Sequence, residues 1–517
     1  MSVAVFAVIL SPSAFSESNS KAYGGYTLFS PLFGTTTYFI NMDGQVVHTW
    51  ETGSSAAFTT YFLENGNLLR SSSTGGGMGL GGMGFGIGMG QRRGGQGAAQ
   101  GQTEPQRPSG IGAGGKLQEI DWDGNSVWEY EYATDTVVPH HDMKKIPNGN
   151  LLLICWDRKT ADESIAAGRN PEYQNGSLNP DCIIELKRTG DNQWEVIWQW
   201  YVWDHLIQDF DESKSNYGNV TEHPERIDIN YSESWADAPA GGGRQGNRGG
   251  MGGGMMGGMG MGDGGRIATE DWTHFNAIDY NEELDLIAVS SYTFSEFWII
   301  DHSTTTQEAA GHAGGKFGKG GDILYRWGNP AAYKQGTNAD QTLFCPHDIQ
   351  WIAKGLPGEG NMLIFNNGPN RQDGRYSTVE EFILPLDNGT FKIDGKKFAA
   401  VEPVWHYMDP DDKTNFYATN ISGAQRLPNG NTLICEGPRG HLFEVTADKQ
   451  IVWDYRFTAQ AGARGGARGG RMGGMGGMMG GGFPSQIFRA YRIPLDHPAL
   501  KGKDLTVKNS DSPVQEN

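Results

Sequence analysis

Residues 140–157 read HHDMKKIPNGNLLLICWD, a tight Asn-Gly turn with histidines on one side and an apolar run on the other. The same pattern recurs as HFNAIDYNEELDLIA from His274, SGAQRLPNGNTLI from Ser422 and FTTYFLENGNLLR from Phe58. His347 opens a fifth copy with a longer turn, HDIQWIAKGLPGEGNMLIF, and FRAYRIP from Phe488 begins a sixth. Alternating apolar residues around an Asn-Gly or Gly-rich turn predict a β-hairpin.

A second element alternates with the first: an aliphatic residue, an aromatic, any residue, then another aromatic. It stands as VHTW (47–50), VWEY (127–130), IWQW (197–200), LYRW (324–327), VWHY (404–407) and VWDY (452–455). Each closes another hairpin, so two hairpins make one unit and the unit occurs six times. Six four-stranded units with aromatic signatures predict an all-β fold, a six-bladed β-propeller. The first strands (roughly 36–50) carry the second hairpin of a unit and the last (484–495) the first, so both chain ends are expected to complete the sixth blade. Closure of that kind leaves no blade face unpaired.

In such a ring each innermost strand starts at one mouth of the central channel. The six occupants of that position are Phe58, His141, His274, His347, Ser422 and Phe488. His140 precedes the position and is expected to point away; His48, His205, His302, His406, His441 and His497 are expected to be surface or structural groups. Second strands end at the same mouth and bring Asp157, Arg158, Ser291, Glu296, Asn366, Asn367, Arg371, Arg375, Glu436 and Arg439. Histidine among arginines suits a tetrahedral anion, because guanidinium gives paired hydrogen bonds and imidazole accepts a proton or attacks as a nucleophile.

Composition narrows the partners. The 517 residues carry a formal charge of −19, with only 41 Lys and Arg against 60 Asp and Glu. That balance argues against binding a nucleic-acid backbone. No segment approaches the roughly 20 apolar residues of a membrane span. MSVAVFAVILSPSAFSES, apolar from Val3 to Leu10 and then small, resembles the later part of a secretory signal, so residues 1–20 are read as a signal segment and the protein as periplasmic or secreted. Four cysteines permit two disulfides in three pairings, or four buried thiols. The domain plan is a propeller over 21–500 and a tail over 501–517. Many of the 77 glycines lie in three Gly/Met-rich insertions, about 73–115, 237–266 and 459–483, expected to be disordered and to open onto the mouth.

GGYTLFSPLFGTTTYFINMDGQVVHTW, DWTHFNAIDYNEELDLIAVSSYTFSEFWIIDHSTT, GDILYRWGNPAAY, HDIQWI with FNNGPNR, and SGAQRLPNGNTLICEG resemble the bacterial arylsulfotransferase family over roughly residues 23 to 495. The resemblance implies a six-bladed propeller that moves sulfuryl groups between small-molecule aryl sulfates and phenols without a nucleotide donor. It also implies a sulfohistidine intermediate and no metal or organic cofactor. His274 and His347 match family active-site histidines, and Arg371 in NNGPNR matches the sulfate-binding arginine. The family's nucleophilic histidine falls on Asn420-Ile421-Ser422-Gly423, where this chain has Ser422. His347 is therefore the first candidate nucleophile and His141 the second, with His274 as acid and base. Arg371 and Arg439 are assigned to the sulfate oxygens, and Asn367 and Ser422 to further substrate contacts. Phe58, Tyr292 and Trp272 are expected to hold the aryl ring. Two other readings stand beside this one: a copper site of His141, His274 and His347 with methionines, and an exported binding propeller without catalysis. A homodimer is left open.

Overall fold

The computed structural model describes residues 21–32, 34–73, 107–108, 112–174, 176–231, 271–458 and 485–508. Six four-stranded antiparallel sheets form the blades of a propeller. Their innermost strands are Ala56–Phe62, Val137–Lys145, Phe275–Asn281, His347–Trp351, Gly423–Arg426 and Ile487–Pro494, for blades one to six in that order. The aromatic signatures lie in the outermost strands, such as Ser126–Glu131, Gln193–Tyr201 and Ile451–Arg456.

Both chain ends build blade six, although not as two hairpins. Ile487–Pro494 supplies the inner strand and Gly25–Pro31, Thr36–Ile40 and Val46–Glu51 the other three. GYTLFSP is as apolar as its neighbours and pairs with the last strand from Gly25↔Pro494 to Pro31↔Ile487, so the seam falls between strands one and two.

Each junction between neighbouring blades holds its own apolar cluster. Leu69, Leu117 and Trp128 meet Met143 and Leu151 between blades one and two, and Trp50, Phe39 and Leu28 meet Leu68 and Ile120 between six and one. Side chains of this size contribute about 1.5–3 kcal/mol each when taken from water. The closing junction is packed like the others, and that holds the two chain ends in one ring.

All four cysteines are buried free thiols, although Cys155 and Cys182 are direct cross-strand partners. Among the described residues no helix is long and apolar enough to cross a membrane. The signal segment, most of the three Gly/Met tracts and the end of the tail fall outside the described residues. At the end of the first tract Gly112 to Gly115 are described, with Ala113 bridged to His140 and Gly115 opening a strand.

Candidate active site

A bulge at the start of the inner strand creates the position on which the site depends. Pairing between the first two strands skips register between Pro139 and Met143 in blade two, and between Phe275 and Ala277 in blade three. Bulges turn a side chain away from the regular alternation. The residues at the break have left-handed backbones: φ is 91° at Phe58, 52° at His141, 47° at His274 and 86° at Ser422. Such conformations cost about 1–3 kcal/mol each for a residue with a side chain. They are held by the frame: the His141 N–H donates to Gly112 O, the Ser422 N–H to Phe488 O, and the Tyr292 N–H to His274 O. Gly112 itself (φ +88°) has no room for a side chain, since a Cβ there would lie 2.7 Å from the Phe58 ring and 3.1 Å from His141 Cε1.

The rings converge as the repeat predicts. His141 and His274 have centroids 4.7 Å apart, and His141 sits 4.9 Å from Phe58. Phe58 stacks on Phe488 at 4.9 Å, and Tyr292 stands 5.2 Å from His274 and 5.4 Å from His347. Leu32 and Ile421 complete an apolar wall with the two phenylalanines.

Hydrogen bonding then separates the three imidazoles. The buried Asp181 carboxylate accepts from Phe275 N–H and Thr273 Oγ–H, and its Oδ1 lies 2.6 Å from His140 Nε2. A carboxylate only accepts, so His140 Nε2 carries the proton and a neutral His140 presents a bare Nδ1. That Nδ1 is 2.7 Å from His141 Nδ1. His141 must donate there, which leaves its Nε2 with an exposed electron pair. Burial, reinforced by the charges of His274, His140 and His347, holds the His141 pKa well below the usual histidine value.

His274 is the opposite case. Its Nδ1 lies 2.6 Å from Asp271 Oδ2, and Asp271 also accepts from Trp156 Nε1–H at 2.8 Å. Burial pulls the His274 pKa down, but the charge and hydrogen bond of Asp271 outweigh it and the pKa is raised. Its imidazole is 17% exposed. It can carry a second proton on Nε2 and release it.

His347 has both nitrogens engaged. Asn367 donates its amide to Ala418 O and Ile421 O, so its Oδ1, 2.8 Å away, accepts the His347 Nδ1 proton. The other nitrogen, Nε2, accepts the Ile421 N–H at 3.2 Å. Burial pushes its pKa down to about 3. A nitrogen that already accepts a buried N–H cannot attack sulfur without breaking that bond. The first candidate nucleophile is therefore a positioning group, and Asn367 supports it rather than touching substrate. A three-histidine metal site loses its third ligand for the same reason.

Other expected contacts fall elsewhere. The Ser422 hydroxyl accepts from Gly437 N–H and donates to Asn420 O. The Trp272 indole donates to Tyr231 O and packs on Phe294 in the core between blades two and three. Arg371 donates to Tyr376 O and Thr378 Oγ1 and lines a cavity of about 430 Å³ with Phe344 and Glu380, none of whose lining residues is an imidazole of the ring. Arg439 pairs with Glu436 at 2.9 Å and is half exposed. Glu296 is fully buried against Arg326.

Asp181 and three further groups escaped the sequence reading. His140 joins the relay because the bulge puts two successive residues on one side. Asp271 stands in the DWTH motif, three residues ahead of its histidine. Arg489, one past the ring position of blade six, lies under the imidazoles: its Nη1 is 2.7 Å from Asp142 Oδ2 and its Nε 2.8 Å from Asp348 Oδ1. The guanidinium covers the Phe488 ring at 4.8 Å, and the Tyr61 hydroxyl donates to Asp142 at 2.6 Å. Two carboxylates thus hold the Arg489 guanidinium, and burial raises the Asp348 pKa to about 6.

Solved structures with some likeness include a protein of unknown function from Bacteroides caccae, 11% identical over 83% of this chain and 93% of that one, with a TM-score of 0.38. A functionally unknown protein from Desulfotomaculum acetoxidans is 11% identical over 83% and 95%, TM-score 0.34, and a catalytically inactive virginiamycin B lyase from Staphylococcus aureus is 9% identical over 83% and 84%, TM-score 0.33. A comparison with curated proteins returns no match. The family model described as arylsulfotransferase (ASST) matches residues 35–454, most of the length. On that match, the chain belongs to the arylsulfotransferase family.

Proposed function

We propose that this protein moves a sulfuryl group from an aryl sulfate to a phenol, with His141 Nε2 as the carrier. The observation that carries the reading is the Asp181–His140–His141 chain of hydrogen bonds, which leaves an unprotonated nitrogen on a ring whose centroid is 4.7 Å from that of a second, protonatable imidazole. In the first half-reaction the His141 Nε2 electron pair forms an N–S bond as the S–O bond to the aryl group breaks. The departing phenolate takes the His274 Nε2 proton and leaves as phenol. Positive charge that grows on the His141 ring is stabilised through its Nδ1–H on His140 and, behind that, Asp181. In the second half-reaction His274 removes the proton of an incoming phenol, its oxygen attacks sulfur, and the N–S electron pair returns to His141. The stacked Phe58 and Phe488 rings make an apolar wall beside His141, against which an aryl group would pack.

Residues 3–16 carry the pattern of an export signal, and we place the protein in the periplasm or outside the cell, where a donor other than a nucleotide is needed. The test is a labelled aryl sulfate supplied without acceptor. Phenol release with one label retained on the peptide containing His141 supports the carrier; label on another residue, or no release by folded protein, overturns it.

A further inference from the structure

Far along the chain from the mouth, a second cluster joins blades two and three. His205 ends the 3-10 turn Val202–His205 that follows the outer strand of blade two, and His312 and Asp322 lie in the Gly-rich connection between the third and fourth strands of blade three. Both imidazoles aim Nδ1 at one oxygen: His205 Nδ1 is 3.0 Å and His312 Nδ1 2.7 Å from Asp322 Oδ1. His205 and Asp322 are buried, whereas the His312 side chain is 43% exposed. His205 Nε2 is 2.9 Å from Ala309 O, a carbonyl that can only accept, so in the neutral ring this nitrogen holds the single proton. The His205 Nδ1 electron pair then faces a carboxylate electron pair across 3.0 Å, inside a wall formed by Trp200 stacked on the ring at 5.4 Å. Two acceptors in that relation need a cation. A proton on Nδ1 satisfies His205 and Asp322, whose oxygen can accept from both imidazoles; a divalent ion would draw on all three groups at once.

We propose that His205 Nδ1, His312 Nδ1 and Asp322 hold a borderline divalent ion such as zinc, which clips the exit of blade two to the Gly-rich connection of blade three. The three ligand atoms lie within 4.8 Å of one another. Two imidazoles and a carboxylate are a zinc donor set, and the Nε2–H to Ala309 O bond is the outer contact that fixes a metal-bound imidazole. Zinc bonds of about 2.0–2.1 Å in a tetrahedron separate ligand atoms by about 3.3 Å, so the cluster opens by a few tenths of an ångström on loading. The exposed His312, in a segment with positive φ at Gly314, Gly315, Gly318 and Gly320, is free to make that adjustment, and its open side leaves the fourth position to water. Gly321 permits the close seating, because a Cβ there would lie 2.7 Å from His205 Nε2.

The test uses the full chain, stripped with a chelator and titrated with zinc chloride against a chromophoric competitor, with thermal unfolding followed in parallel. One zinc per chain and a higher midpoint of unfolding are expected. His312→Ala, a change at an exposed side chain, should weaken zinc binding by about tenfold or more and abolish the rise in midpoint. His141→Asn should alter neither. No zinc uptake against the competitor, wild-type affinity in His312→Ala, or loss of binding in His141→Asn instead would each overturn the site.

Discussion

His141 and His347 hold the same repeat position in blades two and four, and the partners of their nitrogens set them apart. In blade two a neighbouring imidazole backed by Asp181 takes the Nδ1 proton and leaves Nε2 open. In blade four Asn367 takes the Nδ1 proton just as well, but the Ile421 N–H fills Nε2. Repeat position therefore decides where an imidazole sits, and the surrounding hydrogen bonds decide what it can do. The difference can be probed from the strongest expected effect downward. His141→Asn removes the proposed carrier, and turnover of an aryl sulfate should fall by three orders of magnitude or more, as for other nucleophiles acting within a unit, about 10³ at least. Turnover within tenfold of the wild type would move the carrier away from blade two.

His274→Gln removes the acid and should cost about 10²–10⁴ in rate. The size of the loss should depend on the donor. A 4-nitrophenolate leaves without much help, so 4-nitrophenyl sulfate should suffer less than phenyl sulfate. Equal losses for both donors would show that His274 does not protonate the leaving oxygen.

The pH dependence of the donor step follows from the two shifts. The carrier must be unprotonated, and His141 is held below the usual value near 6.5, so the acid limb of kcat/KM for the donor should lie below that pH. The acid must be protonated, and His274 is held above it, so the alkaline limb should lie on the other side. The acceptor step needs His274 unprotonated and should instead rise with pH through that second limb. A donor profile that rises through the alkaline limb would reverse the roles assigned to the pair.

The ring was legible because its signals are local. Aromatic pairs recur six times and a hairpin turn follows the inner strands, three times as Asn-Gly, and the histidines stand at a fixed place ahead of the turns. What the sequence could not show is which nitrogen of each ring is occupied. Asn367 and Ile421 reach His347 from distances of 20 and 74 residues along the chain. His140 was misplaced because strict alternation sends it outward, and only the left-handed backbone at His141 makes the pair adjacent on one side. Arg371 and Arg439 were placed by motif and by strand ends, yet their hydrogen bonds tie them to their own blades. Arg489 was one residue from a position already singled out. The His205, His312 and Asp322 cluster had no signal at all, since its members are contributed by two different blades and follow no repeat.

The smallest effect expected is also the sharpest check on the comparison, because it concerns an imidazole at a ring position with no part in the chemistry. Asn367→Ala deletes the acceptor of the His347 Nδ1–H and the donor to Ala418 O and Ile421 O, all in a buried setting. Leaving buried polar groups unpaired costs about 1–3 kcal/mol, so the unfolding midpoint in denaturant should fall. The donor step should stay within about tenfold of wild type, because neither His141 nor His274 loses a partner. The two readouts separate the alternatives. Lower stability with near-normal turnover is what a positioning imidazole predicts. If the midpoint were unchanged while turnover collapsed, then His347 would be acting on substrate, and blade four rather than blade two would hold the carrier.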